Sequence, residues 1–93
     1  MRNFLYILLE VIRVQVKQLV AKRFIALMKA KRIKPNELAT RSGVTPSTVY
    51  SMLDPSREDI YMTTVKKLCD GLGITLGEFF GTPEFDALEQ EIK

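Results

Sequence analysis

The stretch PNELATRSGVTPSTVYSMLD, residues 35–54, constrains the fold more than any other part of the sequence, because its helix start and stop signals are closely spaced. Pro35 suits the first position of a helix, and Gly43 suits the left-handed residue that ends it. Thr45 is then a candidate N-cap, with Pro46 in the first position of a second helix. The spacing predicts two short helices joined by a tight turn.

The second of these helices has two contrasting faces. Apolar side chains share one side at the i, i+3, i+4 spacing, at Val49, Met52 and Leu53. Uncharged polar side chains share the opposite side at the same spacing, at Ser47, Tyr50 and Ser51. One face suits a core and the other projects outward. This layout is typical of a helix-turn-helix, whose second helix enters the major groove of DNA.

The rest of the chain also carries helix signals. An apolar stripe predicts a helix from about residue 20 that ends before Pro35. A second stripe predicts a helix over 62–72, ended by Gly73. A capping-box pattern at 75–78 introduces a short helix, and Thr-Pro-Glu at 82–84 starts a last, acidic one. We therefore expect an all-α fold of six or seven short helices.

The N-terminal segment 1–19 admits two interpretations. Its apolar residues fall at helical spacing, which favours a helix, but residues 12–17 alternate with the period of a strand. Charged and amide side chains interrupt the segment, so it is not a membrane span. It also lacks the small-residue cleavage site of a signal peptide. No membrane partner is expected.

Composition narrows the functional classes. The chain has 93 residues, a net charge of +3, one cysteine and no histidine, which fits one small domain. An internal disulfide is impossible, and a Cys/His metal site is not expected. The usual catalytic base is missing, and Cys69 lies in an apolar stripe as a buried small side chain, so we expect no enzyme. We also expect no cofactor and no small-molecule ligand, and an unpaired cysteine suggests the cytoplasm.

Charge is unevenly distributed along the chain. Residues 1–34 hold nine Lys and Arg against one acid, whereas residues 71–93 hold five acids against one Lys. This asymmetry fits either two functional faces or two solvated faces of opposite sign. The basic half is compatible with a nucleic-acid partner but does not establish one.

The combined pattern resembles the Cro and phage-repressor-type regulators, also called the xenobiotic response element family. The central matches are Leu38-Ala39, Gly43-Val44-Thr45, Val49 and Met52. The resemblance extends to the helices around 22–33 and 65–80. It implies a five-helix, lambda-repressor-like DNA-binding domain over 20–81. Residues 1–19 would then form an N-terminal extension and residues 82–93 an acidic C-terminal helix.

Carried over by position, the resemblance implies two sets of DNA contacts. Base-facing residues would be Pro46, Ser47, Tyr50 and Ser51. Phosphate-binding residues would be Asn36, Thr45 and Thr48. Beside this carry-over, Lys34 and Arg57 are the nearest charges that could add phosphate contacts. Hydroxyl groups discriminate weakly between bases, whereas the proline and tyrosine rings could touch a thymine methyl group. The serines could instead be solvated helix residues, and Tyr50 could instead cover the protein surface. Family members often carry a phosphate-gripping Gln where Pro35 stands.

The expected function is a sequence-specific, double-stranded DNA-binding transcription regulator, a repressor, that acts as a homodimer. The surfaces left for pairing are the N-terminal segment and an apolar face made by Phe85, Leu88 and Ile92. The alternative is a protein-interaction module or antitoxin-like partner built on the same fold.

Overall fold

Six helices account for the regular structure of residues 16–88, the part of the chain that the computed structural model describes. They are α1 (Val16–Lys31), α2 (Pro35–Ser42), α3 (Pro46–Leu53), α4 (Met62–Leu72), α5 (Leu76–Phe80) and α6 (Pro83–Asp86). The described residues include no strand, and the prediction of an all-α fold is confirmed. Residues 16–19 belong to α1, whereas the rest of the segment that was ambiguous between helix and strand lies outside the described range.

Two glycines and one capping box end or begin helices as the sequence predicted, whereas α1 runs from Val16 to Lys31 instead of from about residue 20 to the residue before Pro35. Gly43 follows α2 with φ at 69° and Gly73 follows α4 with φ at 73°, a backbone region that glycine enters without steric cost. The Thr75 hydroxyl accepts from the Glu78 N–H, and the Glu78 carboxylate accepts from the Thr75 N–H, each at 3.0 Å. These bonds lower the pKa of Glu78. Each cap supplies partners for backbone groups that a helix leaves unpaired at its ends.

The core lies where α1, α2, α3 and α4 meet. Its fully buried side chains include Phe24, Leu38, Val49, Val65 and Leu68. These residues come from all four helices, so the short helices are held by shared burial and not by their own propensity.

A close helix crossing brings α2 against α4. An added Cβ at Gly71 would collide with the Ser42 hydroxyl and would lie 3.2 Å from the Ser42 backbone nitrogen. Gly71 therefore allows the crossing. The Ser42 hydroxyl is itself buried, without a hydrogen-bond partner among the described residues.

Aromatic rings close the end of the domain formed by α5 and α6. The ring centroid of Phe85 lies 4.9 Å from that of Phe80 and 5.8 Å from that of Phe79. Phe85 thus packs within its own chain. The last helix of the described residues is the single turn Pro83–Asp86, and Leu88 lies in a bend after it, so Leu88 does not share a helix face with Phe85 as the sequence predicted. Ile92, the third residue of the expected apolar face, lies outside the described residues.

Candidate nucleic-acid interface

The amino end of α3 carries a cluster of three hydroxyl groups. Thr45 is the N-cap, and its Oγ1 accepts from the Thr48 N–H at 3.3 Å. The same oxygen lies 3.0 Å from the Ser47 Oγ and 2.9 Å from the Thr48 Oγ1. Hydroxyl donors and the free N–H groups of a first helical turn lie together at the positive end of the helix dipole. This arrangement can hydrogen-bond an anionic oxygen.

The two predicted faces of α3 are present. Val49 and Met52 are buried in the core, as the spacing indicated. On the other side, the Tyr50 side chain is 56% exposed. Ser47 is exposed and Ser51 is half-buried at the edge of this face. The exposed face has hydroxyl groups and an aromatic ring but no charged side chain. It can therefore contact base edges through hydrogen bonds and the ring, without a charged group.

A groove of about 480 Å³ runs beside the exposed face of α3. Ser47, Thr48 and Ser51 line it from the helix, and Arg57 lines it from the segment that follows. The structure thus brings together two of the predicted base-facing residues and two of the predicted phosphate-binding residues. Three other predicted residues do not line the groove. Thr45 and Pro46, both exposed, lie at the amino end of α3, and Tyr50 lies on its exposed face.

Arg57 is presented by a turn that Asp54 organises. The Asp54 Oδ1 accepts from the Ser56 N–H at 2.9 Å and from the Ser56 hydroxyl at 2.7 Å. These two bonds lower the pKa of Asp54, so the group stays a carboxylate. Its Oδ2 lies 4.0 Å from the Arg57 Nε, and the Arg57 side chain is 65% exposed. A long, weak pair of this kind leaves the guanidinium available for a phosphate.

Lys34 and Asn36 occupy the amino end of α2. Both are exposed, and Lys34 is the N-cap residue with no side-chain capping bond. Neither residue lines the groove beside α3. Further along α2, Arg41 pairs with Glu37 at 2.7 Å. Lys34 is therefore the cation at this helix end that makes no ion pair within the described residues.

Sequence reasoning missed Lys17, which is only 2% exposed. Its Nζ donates to the backbone oxygens of Ser51, Asp54 and Arg57 at 2.9, 3.0 and 3.1 Å. Burial lowers the pKa of the ammonium, and the nearby Asp54 carboxylate opposes that effect. A signal for this burial was available, since Lys17 falls three and seven residues before the buried Val20 and Phe24.

Three further residues of the groove were also missed. Glu58, Asp59 and Tyr61 line it together with Arg57, and the Tyr61 side chain is 71% exposed. Their segment, 57–61, has no regular secondary structure. No helical spacing could place these side chains, so only the fold reveals that they face α3.

Two short helices joined by a glycine turn, the second buried on one face and polar on the other, define a helix-turn-helix protein. Residues 23–84 match the family model of the Cro/C1-type HTH DNA-binding domain. The chain belongs to this family, and the resemblance seen in the sequence is confirmed.

A solved structure supports the same fold. The protein is similar to the one described as "Crystal structure of the prophage Lp1 protein 11", with 27% sequence identity and a TM-score of 0.70. The match covers 80% of this chain and 97% of that chain. A comparison with curated proteins gave no significant match.

Residues 16–88 contain neither a membrane-spanning helix nor a metal-binding cluster. None of the helices there is long and apolar enough to cross a membrane. No group of three or more potential ligands from Cys, Asp and Glu is placed to hold a metal ion within residues 16–88.

Proposed function

We propose that this protein is a sequence-specific regulator of transcription that binds double-stranded DNA as a homodimer, with α3 in the major groove, and represses. The observation that carries the proposal is the uncharged polar face of α3, exposed inside a helix-turn-helix of a DNA-binding family. A helix with its side chains is about 10–12 Å across, which matches the width of the major groove, about 12 Å. A repressor of this kind acts by occupying its site.

In this proposal, the residues that contact bases are Pro46, Ser47, Tyr50 and Ser51. Their exposure supports this role, since none of them belongs to the buried core. Serine hydroxyls donate or accept and so distinguish bases weakly, whereas the tyrosine ring can contact a thymine methyl group. We expect sequence preference to be modest for one domain alone.

Phosphate contacts come from two directions. Thr45 and Thr48 offer hydroxyl groups at the amino end of α3, and Arg57 offers a cation across the groove. Lys34 and Asn36 offer a cation and an amide at the amino end of α2. Contacts of this kind fix the register of the protein on the duplex without reading its sequence.

Homodimerisation would supply the specificity that a single domain lacks, because two domains read two half-sites of a palindrome. The described part of α1 supports pairing, since Ile25 is 47% exposed on it. Phe85 contributes less than the sequence suggested, because its ring packs on Phe79 and Phe80. Light scattering at micromolar concentration tests the dimer, and a monomer there would count against it.

Selection of binding sites from random duplex DNA tests the function as a whole. We expect an enriched palindromic sequence. A triple variant, Ser47→Ala with Tyr50→Ala and Ser51→Ala, should enrich a different or less defined sequence. If the triple variant selected the same sites as the unmodified protein, the base-facing assignment would be wrong.

Arg57→Ala provides the complementary measurement, because its effect should not depend on sequence. We expect weaker binding to all duplexes and a fall of about 1 in the slope of log affinity against log salt. Lys29→Ala removes the same charge from an exposed position of α1 and is the matched control. An equal loss for Lys29→Ala would mean that net charge, and not a contact from Arg57, sets the affinity.

One observation favours a second candidate, a protein-interaction module. Tyr61 and the neighbouring Met62 are exposed, at 71% and 53%, and two carboxylates line the groove beside them. Aromatic and methionine side chains are enriched at protein interfaces. Absence of binding to any duplex at low salt would favour this candidate over the regulator.

A further inference from the structure

A buried lysine holds the carboxyl end of α3 and the turn that follows it. The Lys17 ammonium donates to three backbone oxygens, of Ser51, Asp54 and Arg57. An ammonium group has three N–H donors and no acceptor. Each donor therefore has one acceptor, and the lysine is fully satisfied while buried.

The three acceptors are linked to each other through the backbone. The Asp54 N–H donates to the Ser51 oxygen at 3.3 Å, and the Arg57 N–H donates to the Asp54 oxygen at 3.2 Å. Lys17 therefore adds a donor to two carbonyl groups that already define the end of α3 and the turn. A cation at a helix carboxyl end is also favoured by the helix dipole.

The rest of this turn has few buried anchors. The side chains of residues 55–59 are exposed, so apolar burial does not fix their backbone. The Gln18 side chain adds one exposed hydrogen bond, to the Pro55 oxygen at 3.1 Å. Lys17 is the buried contact that joins the turn to α1.

We propose that Lys17 is a positioning residue for DNA binding: it fixes the Arg57 turn against the end of α3 without contacting DNA. The inference rests on the proposed function. The segment from Ser51 to Arg57 carries one base-facing and one phosphate-binding residue, and Lys17 bonds the backbone of both. Losing the ammonium frees the turn, and the guanidinium then loses its place beside the groove.

The first test compares two variants of α1 that each remove a capping cation. Lys17→Met replaces the lysine with an unbranched apolar side chain that is one atom shorter, and it removes the three donors. Arg23→Met is the matched control, because Arg23 donates to the backbone oxygens of Phe79 and Glu78, each at 3.0 Å, away from α3. Duplex affinity is measured for both, at a temperature where circular dichroism shows each variant folded, and is corrected for the folded fraction.

We expect Lys17→Met to weaken binding about 10-fold and Arg23→Met to leave it unchanged. Both variants should lower the melting temperature, so stability alone does not separate them. Unchanged affinity for Lys17→Met would overturn the proposal. An equal loss for Arg23→Met would also overturn it, because any destabilised domain would then bind less well.

A double-mutant cycle then tests whether Lys17 acts through Arg57. If it does, Lys17→Met in the Arg57→Ala background should cost less than 3-fold, since the contact it positions is already gone. Losses that multiply in full would contradict the inference. The proposed function fails separately, if the unmodified protein binds no duplex at low salt, whereas the Lys17 inference alone fails if the unmodified protein and Lys17→Met bind equally.

Discussion

The two ends of α3 are closed in opposite ways. At the amino end, the cap is Thr45, the residue directly before the helix. At the carboxyl end, the C-cap residue is Asp54, whose N–H donates to the Ser51 oxygen. The Lys17 ammonium, from 34 residues earlier in the sequence, donates to the same oxygen. The amino end is specified by neighbours in the chain alone, whereas the carboxyl end also receives a side chain from a different helix.

This difference separates two sources of structure. A local cap forms as soon as its own helix forms, and it contributes about 1 kcal/mol. A distant cap exists only when α1 has packed, because a buried ammonium without its acceptors would be strongly unfavourable. The carboxyl end of α3 therefore depends on the whole fold, whereas the amino end depends mostly on its own sequence.

The largest expected effect concerns Cys69, because packing against residues distant in the sequence changes the pKa of its thiol. The side chain is buried, and burial raises the pKa of its thiol from 9.0 to about 11. Because the pKa of the thiol is higher in the folded protein than in the unfolded chain, its contribution to stability is fully present at a pH below the unfolded pKa. That stabilisation is lost as the pH rises from about 9 through about 11. We expect the free energy of unfolding to fall by about 2–3 kcal/mol from this group.

Urea unfolding of the unmodified protein and of Cys69→Ala, across pH 8 to 11, measures this loss. Every other ionisable group is common to the two proteins, so the comparison isolates the thiol. The difference in unfolding free energy between the two should stay constant up to about pH 9 and narrow above it. A constant difference up to pH 11 would show that the thiol ionises in the folded protein at its ordinary value.

Gly71 gives a smaller effect in which local and distant terms have opposite signs. Alanine favours a helix over glycine by about 1 kcal/mol, so the local rule predicts that Gly71→Ala stabilises. The crossing of α2 over α4 predicts the reverse, because the added Cβ collides with Ser42. We expect the crossing to win and the variant to lose about 2 kcal/mol in urea unfolding.

Ser42→Ala provides the control for this prediction. Its hydroxyl is buried without a partner in the described part of the chain, so its removal should be neutral or slightly stabilising. Combined with Gly71→Ala, it should recover most of the lost stability, since the closest colliding atom is gone. A double variant as unstable as Gly71→Ala alone would mean that the backbone approach, not the hydroxyl, is the obstacle.

Much of the fold was predictable because its signals are local. Gly43, Gly73 and the Thr75–Glu78 capping box each act within a few residues, and each is present as expected. The Gly71 crossing was not predictable, because a glycine inside a helix gives no indication of which helix approaches it. The same holds for Phe85, whose apolar spacing did not show whether its ring packs inside the chain or outside it.

The residues of the candidate site also differ in whether local sequence signals predicted their positions. The exposed face of α3 followed from helical spacing, and the structure places Ser47 and Ser51 beside one groove. Tyr61 and the two acids of the groove did not follow, because they lie in a segment without periodicity. Lys17 stands between these cases: its spacing indicated burial, but nothing in the sequence indicated which three carbonyl oxygens would receive it.

Thr45→Ala should destabilise the protein less than Gly71→Ala, and it tests whether the amino end of α3 is stabilised independently of the carboxyl end. The variant removes the oxygen that accepts from the Thr48 N–H, so we expect a loss of about 1 kcal/mol in urea unfolding. Thr45→Ser keeps that oxygen and should retain most of the stability.

Amide hydrogen exchange locates the change. It should quicken at Thr48 and Val49 but not at Asp54 or Arg57, whose N–H groups lie at the end that Lys17 holds. Faster exchange at both ends would show that α3 opens as one unit, and the two caps would then be coupled.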